Sequence, residues 1–301
     1  MNTIHSLRVA TLLALAATSA SAAVSVVNGT LTVSDAVGGL NSKIIVGPDP
    51  GMVSLYQVPG AADGETYMGI RALRVLAGAG PDQIDLEIEQ ASSFDVLVDT
   101  GAGDSAIQVK WIVPPTTARV VPRLDLRPGA GAKRVFLDFD LVSAARSVVV
   151  DHAIRGGAGA DEVKLGMTQI VRAPVRSTLQ VGLGQSHDKL EILYGGVASS
   201  LTVSGGVTLD GGNDQMVFIS DYATAAALNL HGNDGFDLIK AEIKGPLSGW
   251  RSGVLQLLGG IGNDELILGV QRGGIESIID GGPGFDIGFG PGRIVNCEVI
   301  N

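Results

Sequence analysis

Aspartate recurs at one fixed place in a repeating turn. Asp82, Asp161, Asp188, Asp214, Asp237, Asp264 and Asp286 each follow a glycine-rich stretch and stand at the head of a short alternating apolar segment, two residues before its first apolar side chain in most copies. Ser105 and Lys133 hold the same register in two further copies. The steps between the nine positions are 23, 28, 28, 27, 26, 23, 27 and 22 residues. Carboxylates arrayed on glycine turns can do two kinds of chemistry. They can supply oxygen to Ca²⁺, which takes roughly six to eight oxygen ligands. They can also cap their own turns, because the short aspartate side chain bonds nearby backbone. Stacked carboxylates about 5 Å apart repel, which favours a cation between them. Lys133 in an aspartate register suggests an ammonium that replaces a metal by neutralising a neighbouring acid such as Asp161; the alternative is an exposed lysine.

The elements that would hold these turns are strands. Each turn runs into an alternating segment such as Ile84/Leu86, Val163/Leu165 or Leu266/Leu268, and a second alternating segment leads into the turn, as at 96–98, 124–126, 148–150 and 255–257. Two short strands with one turn cannot bury their own apolar side, whereas stacked copies can. The period therefore predicts an all-β fold: a parallel β-helix or β-solenoid of about nine coils, right-handed by the crossover rule. At a strand spacing of about 4.8 Å this is a rod roughly 40 Å long. Residues 71–292 are assigned to the solenoid, 23–70 to first strands and an N-terminal cap, and 293–301 to a C-terminal cap that shields the open edge.

The pattern Gly-Gly-x-Gly-x-Asp occurs without error at Gly156, Gly259 and Gly281. It resembles the hemolysin-type (RTX-like) calcium-binding nonapeptide. The resemblance is uneven over 77–290 and best after 209, and it extends to the tail around Asn296-Cys297-Glu298. It implies a secreted calcium-binding protein with Ca²⁺ between neighbouring turns. The implied ligands are Asp161, Asp264 and Asp286, then Asp82, Asp214 and Asp237. Asn213, Asn233, Asp234, Asn263 and Asp280 add oxygens near the last four turns. This chain departs from the family by separating its turns with whole strand–loop–strand units, so a site needs turns from adjacent coils.

The bulk composition fits such a rod. Among 301 residues there are 43 Gly and 45% hydrophobic residues but only 4% aromatics, so the core is built from Val, Ile, Leu and Ala. The net charge is −10, and 22 of the 31 acids are Asp. No Lys/Arg cluster exists to neutralise phosphates, which argues against nucleic acid. Arg8, the apolar run 9–17 and Ala20-Ser21-Ala22 read as a signal peptide over 1–22, cleaved near Ala22, so the expected location is extracellular or on the cell surface. The run is too short to span a bilayer. The single cysteine, Cys297, excludes an internal disulfide and reads as a small apolar residue.

Three function classes follow. The first is a calcium-binding rod with a structural or adhesive role, partnered by extracellular polysaccharide or a cell surface. The second is a β-helix enzyme of the polysaccharide-lyase kind, which rests on analogy of fold. The third is a calcium-free scaffold. There is no Gly-x-Ser-x-Gly, no His-Glu-x-x-His and no phosphate loop. His152, His187 and His231 read as exposed loop histidines on separate coils. Only Trp111, Trp250 and four Tyr could form a sugar platform.

Overall fold

The computed structural model describes residues 23–35, 38–49, 51–90, 92–114, 119–141, 147–221, 223–244, 253–270 and 275–300. The segment 1–22 read as a leader, and Trp250, lie outside them. Among the described residues every regular element is a strand, and none is a helix long and apolar enough to cross a membrane. The fold is a parallel β-solenoid.

Alternation sets the architecture. Buried and outward residues alternate along nearly every strand, so each coil contributes one inward row from the strand that leaves the glycine turn and one from the strand that enters it. The exit strands stack in parallel register through Asp82–Glu89, Ser105–Ile112, Lys133–Leu141, Asp161–Gly182, Lys189–Thr208, Gln215–Ser220, Leu238–Ile243, Glu265–Val270 and Ile287–Phe289. The entry strands stack likewise from Ala72–Leu76 through Phe94–Gly101, Pro122–Pro128 and Ser147–Arg155. That stack then runs through the second half of Asp161–Gly182 and of Lys189–Thr208 to Ala223–Gly235, Gly253–Gly262 and Ile275–Asp280. Each coil thus has two long strands, which turn a corner almost without a break in Asp161–Gly182 and Lys189–Thr208.

The coil count differs from the nine expected. The exit stack continues by one rung before Asp82–Glu89, at Asn41–Val46, and by one rung after Ile287–Phe289, at Val299–Ile300. Segment 23–70 is therefore partly solenoid: Thr30–Ser34 pairs in parallel with Ala72–Leu76. Its covering function falls to antiparallel strands, Ala23–Val27 on Thr30–Ser34 and Val53–Tyr56 on Asn41–Val46. The C-terminal strands Arg293–Val295 and Val299–Ile300 extend both stacks rather than closing them from outside.

The core consists of ladders of like residues. Ile84, Ile107, Val135, Val163, Leu190, Met216, Ile239 and Leu266 occupy successive rungs of one row, each at most 1% exposed. Burying such a side chain is worth about 1.5–3 kcal/mol. His152 lies in the facing row between Leu124 and Leu179. It is buried rather than on a loop, which corrects the expectation for this histidine. Its strand, Ser147–Arg155, turns every second residue inward, and 152 falls on the inward parity. Trp111 is likewise fully buried and stacks on Phe139, so it offers no sugar platform. Cys297 is half-buried, packs against the core edge and is a free thiol.

Candidate functional site

The repeated aspartates do not face solvent. They stand at or immediately before the first residue of each exit strand, ahead of the apolar row, and none of the seven exceeds 5% exposure. The glycine pattern explains how a carboxylate fits there. A Cβ on the first glycine of the turn would sit 2.2 Å from Asp237 Oδ2 at Gly232, 2.4 Å from Asp264 Oδ2 at Gly259 and 2.6 Å from Asp286 Oδ2 at Gly281. The first glycine thus makes room for the aspartate of its own turn. The third glycine serves the stack: a Cβ on Gly262 would lie 1.4 Å from the Gly235 carbonyl oxygen, and one on Gly284 1.4 Å from that of Gly262.

Each carboxylate reaches back to the preceding coil. The amide of Lys133 donates to Asp161 Oδ1 at 3.1 Å, that of Asp161 to Asp188 at 2.8 Å, and that of Asp188 to Asp214 at 2.7 Å. Asp214 donates to Asp237 at 2.9 Å, Asp237 to Asp264 at 2.8 Å and Asp264 to Asp286 at 2.8 Å. At the N-terminal end the Leu40 amide donates to Asp82 Oδ1 at 2.8 Å, and at the C-terminal end the Asp286 amide donates to Glu298 Oε2 at 2.7 Å. Glu298 therefore stands in for the next aspartate. A hydrogen bond of this kind contributes about 0.5–1.5 kcal/mol net, and leaving its buried amide without an acceptor costs about 1–3 kcal/mol. Where the next rung lacks an aspartate, a backbone carbonyl substitutes: the Asp82 amide donates to Asp104 O and the Ser105 amide to Ala132 O.

A second column runs beside the first with opposite polarity. One position before the aspartate register, four coils carry a side chain that accepts from the amide of the following coil: Asp104 from Ala132, His187 Nδ1 from Asn213, Asn213 from Phe236 and Asn263 from Phe285, at 2.9–3.0 Å. The bond to His187 Nδ1 requires that nitrogen to be unprotonated, which places any single ring proton on Nε2.

The second carboxylate oxygens are left over. Oδ2 of Asp161, Asp188, Asp214, Asp237, Asp264 and Asp286 is buried without a hydrogen-bond partner. Burial pushes these groups above the usual carboxylate range, and neighbouring acids add to it. Asp161 is pushed up to about 7 by burial and by Asp188. Asp214 reaches about 7 by burial and by Asp237, Asp188 and Asp210. Asp188 and Asp264 reach about 6, again chiefly by burial. Asp82, Asp237 and Asp286 move the same way.

Lys133 breaks the row of acids from inside. It is 1% exposed, which excludes the exposed-lysine alternative. Its Nζ turns back to the preceding coil and donates to the Gly103 carbonyl, with Ser105 Oγ at 3.5 Å. Ser105 in turn donates to Asp82 Oδ2 at 3.2 Å. Burial lowers the Lys133 ammonium, and the charges of Asp161, Asp82 and Asp104 partly restore it. Among the described residues it makes no ion pair within 4.0 Å, so it acts on Asp82 and Asp161 through space. Lys133→Met should destabilise the protein by about 1–3 kcal/mol at pH 8 and by less at pH 5, where protonated aspartates no longer need the charge. Urea unfolding at both pH values measures this, and an equal loss at both would remove the electrostatic role.

The remaining residues expected as metal ligands are spread along the turns. Asn213 and Asn263 spend their oxygens on amides of the following coil. Asn233 Nδ2 donates to Asp210 Oδ1 at 3.2 Å, and Asn296 Nδ2 donates to Asp280 Oδ1 at 2.8 Å. Asp234 is exposed. Among the described residues no three His, Cys, Asp or Glu side chains converge as a metal site would. Sequence reasoning missed Asp210 and Glu298. Asp210 lies directly before Gly211-Gly212 in a left-handed conformation (φ 69°) and loads Asp188 and Asp214 with its charge. No family model, curated protein or solved structure matches the chain.

Proposed function

We propose that the protein is an exported structural rod whose aspartate column clamps one coil to the next. The observation that carries this reading is the column itself. With its single break at Ser105–Lys133, it uses one buried carboxylate per coil to satisfy one buried backbone amide, and ends on Glu298. Such a device holds coils in register and leaves both outer faces free for contact with extracellular polysaccharide or a cell surface. The leader read over 1–22 supports export. The buried positions of Trp111 and His152 leave the enzyme reading without an aromatic platform or an accessible base at those residues.

Calcium at the last four turns is the second reading. It is favoured by the six Oδ2 atoms that no protein donor reaches. Asp214, Asp237, Asp264 and Asp286 would hold the ion with Asn and carbonyl oxygens of the same turns, and the ion would neutralise the column. Against it stand the glycine backbone packed on Oδ2 and the engaged oxygens of Asn213 and Asn263. Melting the protein in EDTA and in millimolar Ca²⁺ separates the two readings. The metal-free rod predicts equal melting temperatures. A rise of several degrees with Ca²⁺, reversed by EDTA, would replace it with the calcium rod, because a ligand that binds only the folded state must stabilise it.

A further inference from the structure

On the outer face of the entry stack, arginines occur in two contrasting settings. Toward the glycine turns they are neutralised. Arg123 lies 3.7 Å from both Asp95 and Asp151, its partners on the rungs either side, and Arg127 and Arg155 share Asp125. Toward the opposite corner they are not. Arg119 and Arg176 line a trough of about 350 Å³ together with Ser147, Ser200 and Thr202, and among the described residues no Asp or Glu lines it. Both arginines are exposed, and none of these five side chains has a hydrogen bond or ion pair with another described residue. In a chain of net charge −10, a pocket whose described lining holds two unengaged guanidinium groups and no acid is out of keeping with the rest of the surface.

The register shows how the five groups converge. Arg119 pairs with Ser147, Pro174 pairs with Ser200, and Arg176 pairs with Val149 on one side and Thr202 on the other. The two arginines therefore stand two rungs apart, about 10 Å at the strand spacing. Ser147 stands on the rung between them, and Ser200 and Thr202 stand on the rung beyond Arg176. A guanidinium fork matches a planar or tetrahedral oxyanion in two hydrogen bonds, and hydroxyls complete the shell.

We infer that this trough binds an oxyanion, a sulfate or carboxylate group, either free or carried on an acidic saccharide. The trough lies well away from the aspartate column, so the inference does not rest on the clamp or on calcium. Titration calorimetry of the protein at low ionic strength tests it, with sodium sulfate as one probe and a hexameric oligogalacturonate as the other. Saturable binding of sulfate identifies a site for the free ion, and binding of the oligouronate alone identifies a saccharide-borne group. In either case the Arg119→Gln/Arg176→Gln double variant should bind at least tenfold more weakly. Arg123→Gln/Arg127→Gln should bind as the parent does. Because all four side chains are exposed, unchanged melting of the variants checks that the fold is intact. Absence of saturable binding to both probes, or equal binding by the Arg119/Arg176 variant, overturns the inference.

Discussion

Asp237→Ala is expected to destabilise the protein by about 1–3 kcal/mol, whereas Asp237→Asn should stay within about 1 kcal/mol of the parent. Alanine removes Oδ1, and the Asp214 amide, buried behind the glycine turn, loses the acceptor it holds at 2.9 Å. An unsatisfied buried donor costs its full desolvation penalty. Asparagine keeps that acceptor at nearly the same volume and deletes a charge that burial and the neighbouring Asp234 already disfavour. Denaturant unfolding in EDTA at pH 7.5 compares the two directly. The contrast separates the clamp from a purely electrostatic role, because a residue that acted only through its charge would lose as much with asparagine as with alanine. Equal losses for the two variants would remove the amide clamp as the function of the column.

Acidification should strengthen the rod over the range in which most proteins are indifferent or weakened. The sign follows from linkage. Asp161 and Asp214 titrate near 7 when folded, and Asp188 and Asp264 near 6, all above the unfolded value of 3.8. Between the two values the folded state binds more protons than the unfolded state, so stability falls as pH rises. The full benefit is present below the unfolded value, and it is lost as pH passes through the folded values, so the loss is nearly complete by pH 8. Each group contributes at most about 1.4 kcal/mol per pH unit while it titrates, less where neighbouring aspartates share protons. In EDTA the melting temperature should therefore decline by several degrees from pH 5 to pH 8. A melting temperature that rises over this interval would show that the column is ionised and held by something other than protons. Calcium would act in that opposite direction, since it requires the carboxylates charged.

Much of this was legible in the residues, because the solenoid writes the same chemistry into every coil. The alternation at Ile84/Leu86 and Val163/Leu165 gave the inward parity, and the register of Asp161, Asp264 and Asp286 marked one rung after another. The coupling of the first glycine to the aspartate was also on display in Gly-Gly-x-Gly-x-Asp, although its cause is steric: Gly259 clears the space that Asp264 Oδ2 fills. What the residues concealed was the destination of each carboxylate. Whether Asp237 meets a cation, its own turn or the Asp214 amide depends on the axial offset between coils, which no single coil encodes. The burial of His152 and Trp111 has a simpler reason. Their strands fix an inward parity at Val150, Ile154 and Val109, and parity rather than polar or aromatic identity decides which way positions 152 and 111 face. Burial lowers the His152 imidazole to about 3, so the core holds it as a neutral ring against the edge of Phe139.

The polarity of the aspartate column has a temporal meaning. Every amide in it waits for an acceptor that lies further along the chain, from 12 residues on for Asp286 to 42 for Leu40. A polypeptide made from its N-terminus therefore always carries one unanswered donor at its growing end, answered only when the next coil arrives. Assembly becomes a ratchet whose every tooth is incomplete until its successor engages, and Glu298 is the tooth that needs none. Whole coils can be gained or lost between Asp161 and Asp286 without altering that logic, whereas a chain cut short of Glu298 ends on an open donor.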